Sequence, residues 1–347
     1  MDTITSPAPA SLILGLSGPD LTAGERALLA RVRPWGLILF ARNVDTPVRL
    51  ATLVADARAA IGAPVPVLID QEGGRVARLG PPHWLAWEPV GETVRRLPAA
   101  QAHRALELRF RLIAHELLAA GIDVDCMPLL DVRQPGGDPV IGHRAFGMDA
   151  QTVAGFGRTV AEALRAGGVL PVIKHLPGHG RADVDSHLAL PVVDASLDTL
   201  SAVDFAPFRA LAGEALGMTA HIVYTAIDPK RCATLSPVAI RLIREALGFE
   251  GCLMTDDISM GALSGPVAAR AEAALEAGCD LILHCNGDMA EMEALAEVVP
   301  PLSGPALDRA TRAAAARPRP QPFDPDAALA AYRQIVGEAQ LAEARSG

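Results

Sequence analysis

The sequence predicts an α/β protein of the (β/α)8 TIM-type barrel class, folded as a single domain. Three observations carry that expectation. Short, continuously apolar runs alternate with longer helix-like segments, which implies a parallel sheet covered on both faces by its crossover helices. Eight such runs occur, more than an open doubly wound sheet usually carries and the number that closes a barrel. The first run continues into GLSGPDLT, with no GxGxxG turn of the kind a dinucleotide-binding sheet needs.

In order, the expected strands are SLILGLS (11–17), GLILF (36–40), PVLID (66–70), DVDCMPLLD (123–131), LPVIKH (170–175), GMTAHIVY (217–224), CLMTDD (252–257) and CDLILHC (279–285). Helical patterns fall between them at 23–32, 47–62, 100–121, 149–168, 236–248 and 267–278. Five of these end in glycine, the usual residue just past a helix C-terminus. From about residue 301 a Pro-rich helical tail is expected to pack on the outside of the barrel. No tandem repeat and no linker interrupts residues 1–347, so one domain is expected.

Composition narrows the function. The 347 residues are 50% hydrophobic, enough for a large core. With 31 Lys plus Arg against 40 Asp plus Glu the formal charge is −9, and no basic run offers a footprint for nucleic acid or an anionic membrane. Cys126, Cys232, Cys252, Cys279 and Cys285 are scattered, odd in number and free of any CxxC pair, so neither a disulfide frame nor a structural zinc site is expected. The N-terminal stretch lacks a basic region, its apolar run LILGL is short, and no apolar stretch approaches the ~18–20 residues of a membrane span. A cytoplasmic protein without membrane or nucleic-acid partners is expected. The sequence does not fix the oligomeric state, and a monomer is favoured.

Barrel active sites lie at the C-terminal ends of the strands, and polar residues collect where these runs stop. The third ends in Asp70 and the fourth at Asp131, with GHRAF in the loop beyond. The fifth ends in Lys174 and His175, the sixth carries His221, the seventh ends in Asp256 and Asp257, and the eighth in HCN (284–286). Each has a bland account: a strand-end Asp caps the next helix, a lone His is structural, a loop Arg is solvated. Independent caps do not gather Asp, Lys, His and Arg on one rim, so the rim reads as a polar pocket. A metal-dependent hydrolase with His175, His179 and His187 as ligands is a rival, but the first run holds no HxH pair. Neither GxxxxGK[ST] nor GxSxG is present. No metal and no organic cofactor are expected.

The stretch KHLPGHGRADVDSH (174–187) concentrates the chemistry. Asp185 and His187 stand at i and i+2, so in an extended loop both project to one side. A carboxylate on one imidazole nitrogen fixes the tautomer and raises the basicity of the other, which makes an acid/base dyad. Pro177, Gly178 and Gly180 would let the loop bring the dyad over the pocket. Lys174 supplies positive charge for substrate hydroxyl or carbonyl oxygens.

This stretch resembles the KH(F/I)PGHGxxxxDSH signature of glycoside hydrolase family 3 β-N-acetylglucosaminidases. DQEGGRVAR and TDDISM are similar to two further signatures in the same order, and LFARN and IGHRAF also fit. The resemblance covers about residues 10–300 and departs at Leu176, where an aromatic is common. It points to the single-domain, cytoplasmic type of peptidoglycan recycling and implies a retaining mechanism. Asp256 would then be the nucleophile, His187 the acid/base and Asp185 the group that orients it. Asp70, Arg78, Arg144, Lys174 and His175 would bind a terminal N-acetylglucosamine. The residues alone leave Asp256 and Asp257 open, because neighbours on a strand face opposite sides; the resemblance selects Asp256. The implied substrate is N-acetylglucosaminyl-β-1,4-anhydro-N-acetylmuramic acid, with or without peptide. Aromatics at 4% leave little for stacking along a polysaccharide, so an exo-acting pocket is expected. A family 3 β-glucosidase is the nearer alternative, though these usually carry a second domain and a carboxylate acid/base.

Overall fold

A computed structural model of the chain describes residues 8–137, 140–182, 184, 186 and 189–337. Eight parallel strands form the barrel: β1 (Ala10–Gly15), β2 (Pro34–Leu39), β3 (Val67–Ile69), β4 (Val124–Asp125), β5 (Leu170–Leu176), β6 (Leu216–Thr219), β7 (Cys252–Met254) and β8 (Ile282–His284). They pair in sequence order, and β8 returns to β1 with Leu12 opposite Ile282. A parallel bridge between Met254 and Leu281, backed by Thr255 N–H to Leu281 C=O at 3.0 Å, joins β7 to β8. The (β/α)8 expectation holds.

Alternation along the strands divides the core in two. Ile13, Ile38, Leu68, Val124, Leu170, Val172, Leu216, Cys252, Met254 and Leu283 belong to the barrel interior, while Leu12, Leu14, Leu37, Leu39, Val67, Ile69 and Leu253 join the layer under the helices. Burial on both faces is why the strands read as unbroken apolar runs. The helices start where local chemistry supplies a cap. Thr22 and Glu25 form a reciprocal capping box before helix Ala23–Val32, and Thr46 caps helix Pro47–Ile61, which opens on Pro47. Gly62, at φ +73°, ends that helix in the left-handed conformation that glycine adopts without strain.

Three details differ from the sequence reading. The fourth strand stops at Asp125; beyond it the chain stays beside β5 through less regular bonds, Val172 N–H to Met127 C=O at 2.9 Å, Lys174 N–H to Pro128 C=O at 3.2 Å and Leu130 N–H to Lys174 C=O at 2.7 Å. The sixth stops at Thr219, and Val223–Tyr224 instead pairs with Val192–Val193 outside the barrel. The tail also divides. Helix Gly304–Ala315 brings Ala310 and Ala313 onto the interior cluster, joined by Leu302 just before it, and Ala310 C=O accepts from the Trp35 indole at 3.3 Å, so this helix closes the barrel floor. Helix Pro325–Val336 packs outside, with Tyr332 edge-on to Trp87 at 5.3 Å. All five cysteines are free and buried. Among the described residues no helix is long and apolar enough to cross a membrane.

Candidate active site

The interior pattern of the strands places the site. Ile38, Leu68, Val172, Met254 and Leu283 face inward, so the residue two further along each chain also faces the barrel axis. Those residues are Phe40, Asp70, Lys174, Asp256 and Cys285, and all five line a cavity of about 400 Å³ at the C-terminal ends of the strands. Ile38, Met218 and Leu283 also line it, from the inward faces of β2, β6 and β8. His175 joins Lys174 on the cavity wall because the β5 ladder is irregular between Ile173 and Leu176, which breaks strict alternation.

One wall is a buried charge network. Lys174 Nζ lies 2.8 Å from Asp70 Oδ1 and 2.6 Å from Glu72 Oε1. Arg144 grips Glu72 with two parallel bonds of 2.8 Å, and Arg78 donates to Asp70 Oδ2 at 3.1 Å. Burial pushes the Glu72 carboxyl up, but Arg144 and Lys174 outweigh it and bring its pKa down to about 2. The same contest at Asp70, against Lys174 and Arg78, holds that carboxyl well below the usual range. Burial disfavours the charged Lys174, and Asp70 and Glu72 more than reverse this. The wall is therefore ionised and pre-aimed. Glu72 is placed in turn by Arg109, which is fully buried and donates to the Glu72 carbonyl oxygen. A Cβ on Gly73 would collide with that guanidinium, which explains one glycine of the EGG triplet.

A second cluster surrounds Asp131, which is fully buried. Its Oδ2 pairs with His175 Nδ1 at 2.8 Å, and its Oδ1 accepts the His179 backbone N–H at 2.6 Å. His175 thus turns its other ring edge to the cavity with its orientation fixed. His179 Nε2 meets Ser186 Oγ at 3.1 Å. Burial, with His175 alongside, brings the His179 pKa down to about 4, so that ring is neutral near pH 7. Tyr224 Oη donates to Gly178 C=O at 2.5 Å, and Arg181 Nε to Asp204 Oδ2 at 2.7 Å.

The two adjacent aspartates differ in their surroundings. Asp257 accepts from Ser259 N–H (3.1 Å), Ser259 Oγ (2.7 Å) and Cys285 N–H (3.1 Å), tying the end of β7 to the end of β8. Asp256 accepts from the Asp257 N–H at 2.8 Å and continues the inward series Cys252, Met254, Asp256. His221 supports the pair from behind. Its Nε2–H donates to Asp257 C=O at 3.0 Å, which leaves Nδ1 to accept from Thr234 Oγ1 at 2.7 Å. Burial lowers the His221 pKa, consistent with that neutral tautomer.

The structure brings Asp70, Arg78, Arg144, Lys174, His175 and Asp256 to one cavity, as the sequence reading expected. Asp185 and His187 lie outside the described residues, although Ser186 between them lines the cavity. Three rim expectations are corrected. Asp131 is fully buried against His175, His221 is buried behind Asp257, and His284 is buried against Glu291 at 2.8 Å; none of the three lines the cavity. Glu72 and Asp131 organise the site, yet sequence reading gave Glu72 no role and treated Asp131 as one more strand end. The available signal was an acid beside an expected substrate-binding residue amid several cations: buried charges need partners. Arg42 and Arg75 also line the cavity and were not anticipated.

The profile of the glycosyl hydrolase family 3 N-terminal domain matches residues 16–315. The chain belongs to this family. A β-hexosaminidase of Alkalilimnicola ehrlichii is 40% identical over 292 residues, covering 79% of this chain and 80% of that one. One of Methylococcus capsulatus is 38% identical over 329 residues, covering 91% and 93%. Among solved structures, NagZ from Neisseria gonorrhoeae in complex with N-trifluoroacetyl-D-glucosamine superposes with a TM-score of 0.82 at 30% identity, covering 98% of each chain. A family 3 β-N-acetylglucosaminidase from Paenibacillus gives a TM-score of 0.80 at 28% identity, covering 93% of this chain and 66% of that one.

Proposed function

We propose that this chain is an exo-acting, retaining β-N-acetylglucosaminidase that removes terminal N-acetylglucosamine from muropeptide-type substrates in cytoplasmic cell-wall recycling. One observation carries the reading: an inward-facing Asp256 shares a single-sugar cavity with the ionised Asp70–Lys174–Glu72–Arg144 wall. The volume of about 400 Å³ lies at the small end of the ~300–1,000 Å³ usual for ligand sites, which favours one terminal sugar over a chain. Relatives named β-hexosaminidase, and the glucosamine derivative bound to the neisserial protein, support the substrate class.

In this mechanism Asp256 attacks the anomeric carbon while His187, protonated and oriented by Asp185, gives its proton to the departing glycosidic oxygen. The now neutral His187 takes a proton from water, which attacks the same carbon and frees the Asp256 carboxylate. Asp70 accepts hydrogen bonds from sugar hydroxyls, while Arg78, His175 and the unspent donors of Lys174 and Arg144 address hydroxyls and the acetamido oxygen. Most of the Arg144 and Lys174 donors are committed to Glu72 and Asp70, so these cations orient more than they attract. Arg42 and Arg75 also line the cavity and are not paired with the Asp70 and Glu72 carboxylates, so they are the cations left to meet a carboxylate on the substrate.

A metal-dependent hydrolysis has less support. His179 Nε2 is engaged by Ser186, and among the described residues no three His, Cys, Asp or Glu side chains are grouped to hold an ion. The test sets a chromogenic N-acetyl-β-glucosaminide beside the matching glucoside, with N-acetylglucosaminyl-anhydro-N-acetylmuramic acid as the natural candidate. A site built for the acetamido group should prefer it strongly. Comparable kcat/KM on the two chromogenic substrates would overturn the reading in favour of a β-glucosidase.

A further inference from the structure

The nucleophile of the proposed mechanism lies beyond the last ladder residue of its strand, so its aim depends on bonds outside the sheet. Strand β7 ends at Met254, two residues before Asp256. Asp256 Oδ1 accepts from the Asp257 N–H at 2.8 Å. The next peptide unit is held on both edges. Its N–H, from Ile258, donates to Leu283 C=O of β8 at 2.8 Å, and its C=O, from Asp257, accepts from His221 Nε2 at 3.0 Å. His221 belongs to the chain just past β6, so β6, β7 and β8 converge on one peptide beside Asp256. His221 is fully buried and does not line the cavity, so contact with the sugar does not account for it.

The protons along this chain of contacts are determined. A carbonyl oxygen only accepts, so Nε2 carries the hydrogen. With the ring neutral, as its burial favours, Nδ1 is the acceptor. Thr234 has one hydroxyl proton, and Nδ1 at 2.7 Å takes it over the more distant Ala220 C=O at 3.1 Å. Thr219 Oγ1, 2.8 Å away, then donates into Thr234 Oγ1. All three side chains are fully buried, where such bonds are stronger than in water. The sequence Thr219, Thr234, His221 thus selects one tautomer and points one donor at the peptide that follows the nucleophile.

We infer that His221 is a positioning residue for Asp256: its Nε2–H holds the peptide between Asp257 and Ile258 so that the carboxylate keeps its line of attack on the anomeric carbon, and Thr234 and Thr219 set its tautomer. The inference rests on the reading of Asp256 as the nucleophile. Misplacing a reacting group by about 1 Å costs on the order of 100-fold in rate, so a donor that never touches the sugar can govern turnover. Both clamp bonds fall on main-chain atoms, and the N–H that meets Asp256 Oδ1 belongs to the same residue as the carbonyl that His221 holds.

Three substitutions separate the donor from the space it fills. In His221→Gln an amide N–H can stand where Nε2–H stood, whereas the shorter side chain of His221→Asn reaches only the Nδ1 position beside Thr234, and His221→Leu has no donor. Each variant is assayed for kcat/KM on 2,4-dinitrophenyl N-acetyl-β-glucosaminide and on N,N′-diacetylchitobiose, and for the rate of inactivation by a 5-fluoro N-acetylglucosaminyl fluoride. The Ki of N-acetylglucosamine and thermal melts are measured alongside. His221→Asn and His221→Leu should slow inactivation and lower kcat/KM by about tenfold or more, by similar factors on both substrates, because attack by Asp256 is common to them. His221→Gln should stay within about threefold of wild type. Ki should move less than about twofold in all three, since binding of the sugar does not use His221. Thr234→Val, nearly isosteric, should show the same pattern at smaller size, and adding it to His221→Leu should cost nothing more, because both open one chain of contacts. Equal losses in the three His221 variants, a Ki that rises with the loss of kcat/KM, or no loss would overturn the inference. If His221→Asn and His221→Leu do not fold, Thr234→Val decides by the same comparison of inactivation rate with Ki. Wild type distinguishes the failures. If its adduct is not on Asp256, the nucleophile reading itself falls; if the adduct is on Asp256 and the variants inactivate at the wild-type rate, only the positioning role falls.

Discussion

Replacing Glu72 by glutamine keeps the shape of the side chain and removes the charge that Arg144 and Lys174 share. The size of the effect follows from the site. The Glu72 side chain is 2% exposed, and its two cations bring its pKa from the ordinary 4.5 to about 2. At ~1.36 kcal/mol per pKa unit, that is about 3 kcal/mol in favour of the charged form, at the low end of the ~3–5 kcal/mol usual for breaking a buried pair. With ~2.1 cal/mol/K of unfolding entropy per residue over 347 residues, the melting temperature should fall by about 4 °C at pH 7. The pH dependence has a definite sign. The folded pKa lies below the unfolded one, so the stabilisation is complete above about pH 4.5 and is lost as pH falls toward about 2. The gap between wild type and Glu72→Gln should therefore shrink to about half or less at pH 3. Thermal melts followed by circular dichroism at pH 7, 5, 4 and 3 measure this. Turnover of the chromogenic N-acetylglucosaminide should weaken mainly through KM, because the two cations lose the carboxylate that aims them. A gap that stays constant between pH 7 and pH 3, or no gap at pH 7, would refute the reasoning.

The other predictions concern the nucleophile, the dyad and a buried acid. Asp256→Ala should abolish turnover with the melting temperature nearly unchanged, whereas Asp257→Ala should retain turnover and lose about 1–3 kcal/mol of stability, because it orphans the buried Cys285 N–H. Parallel kinetics and urea melts check this. His187→Ala should slow a disaccharide far more than a dinitrophenyl glycoside, with azide restoring deglycosylation of the aryl substrate; Asp185→Ala should show the same pattern more mildly. Equal losses on both substrates would point instead to a structural role. Asp125 is fully buried, and burial, opposed by the Gln71 N–H and Lys174, pushes its pKa up to about 7. Its folded pKa exceeds the unfolded one, so wild type should lose stability as pH rises through about 7. Asp125→Asn should thus gain on the order of 1–2 kcal/mol over wild type between pH 5.5 and 8.5. Unfolding midpoints at the two pH values would show whether it does.

Much of the fold was legible because each strand is buried on both faces and each crossover helix carries its own apolar stripe. What the sequence could not supply was phase. CLMTDD leaves open which aspartate points inward; both line the cavity, and only the inward packing of Cys252 and Met254 puts Asp256 in the inward series, while Asp257 is taken up by Ser259 and the Cys285 N–H. LPVIKH likewise does not announce the ladder irregularity that turns Lys174 and His175 to one cavity. Residues that contact other functional residues were the hardest to read. Glu72 lies two positions from Asp70 and Asp131 forty-four from His175, and neither spacing has a local periodicity to betray it. His221 and His284 misled for the complementary reason, since a histidine at a strand end can equally turn away from the axis to fix a neighbouring backbone or side chain.

Covalent trapping tests the central claim most directly. The enzyme is incubated with a 5-fluoro N-acetylglucosaminyl fluoride, in which the good leaving group permits glycosylation while the ring fluorine slows hydrolysis of the intermediate. Proteolysis and mass spectrometry then locate the sugar. A stoichiometric adduct is expected on the peptide containing TDDISM, carried by Asp256 and absent from Asp256→Ala. A label on Asp257 or Glu72, or turnover of the reagent with inversion and no adduct, would contradict it.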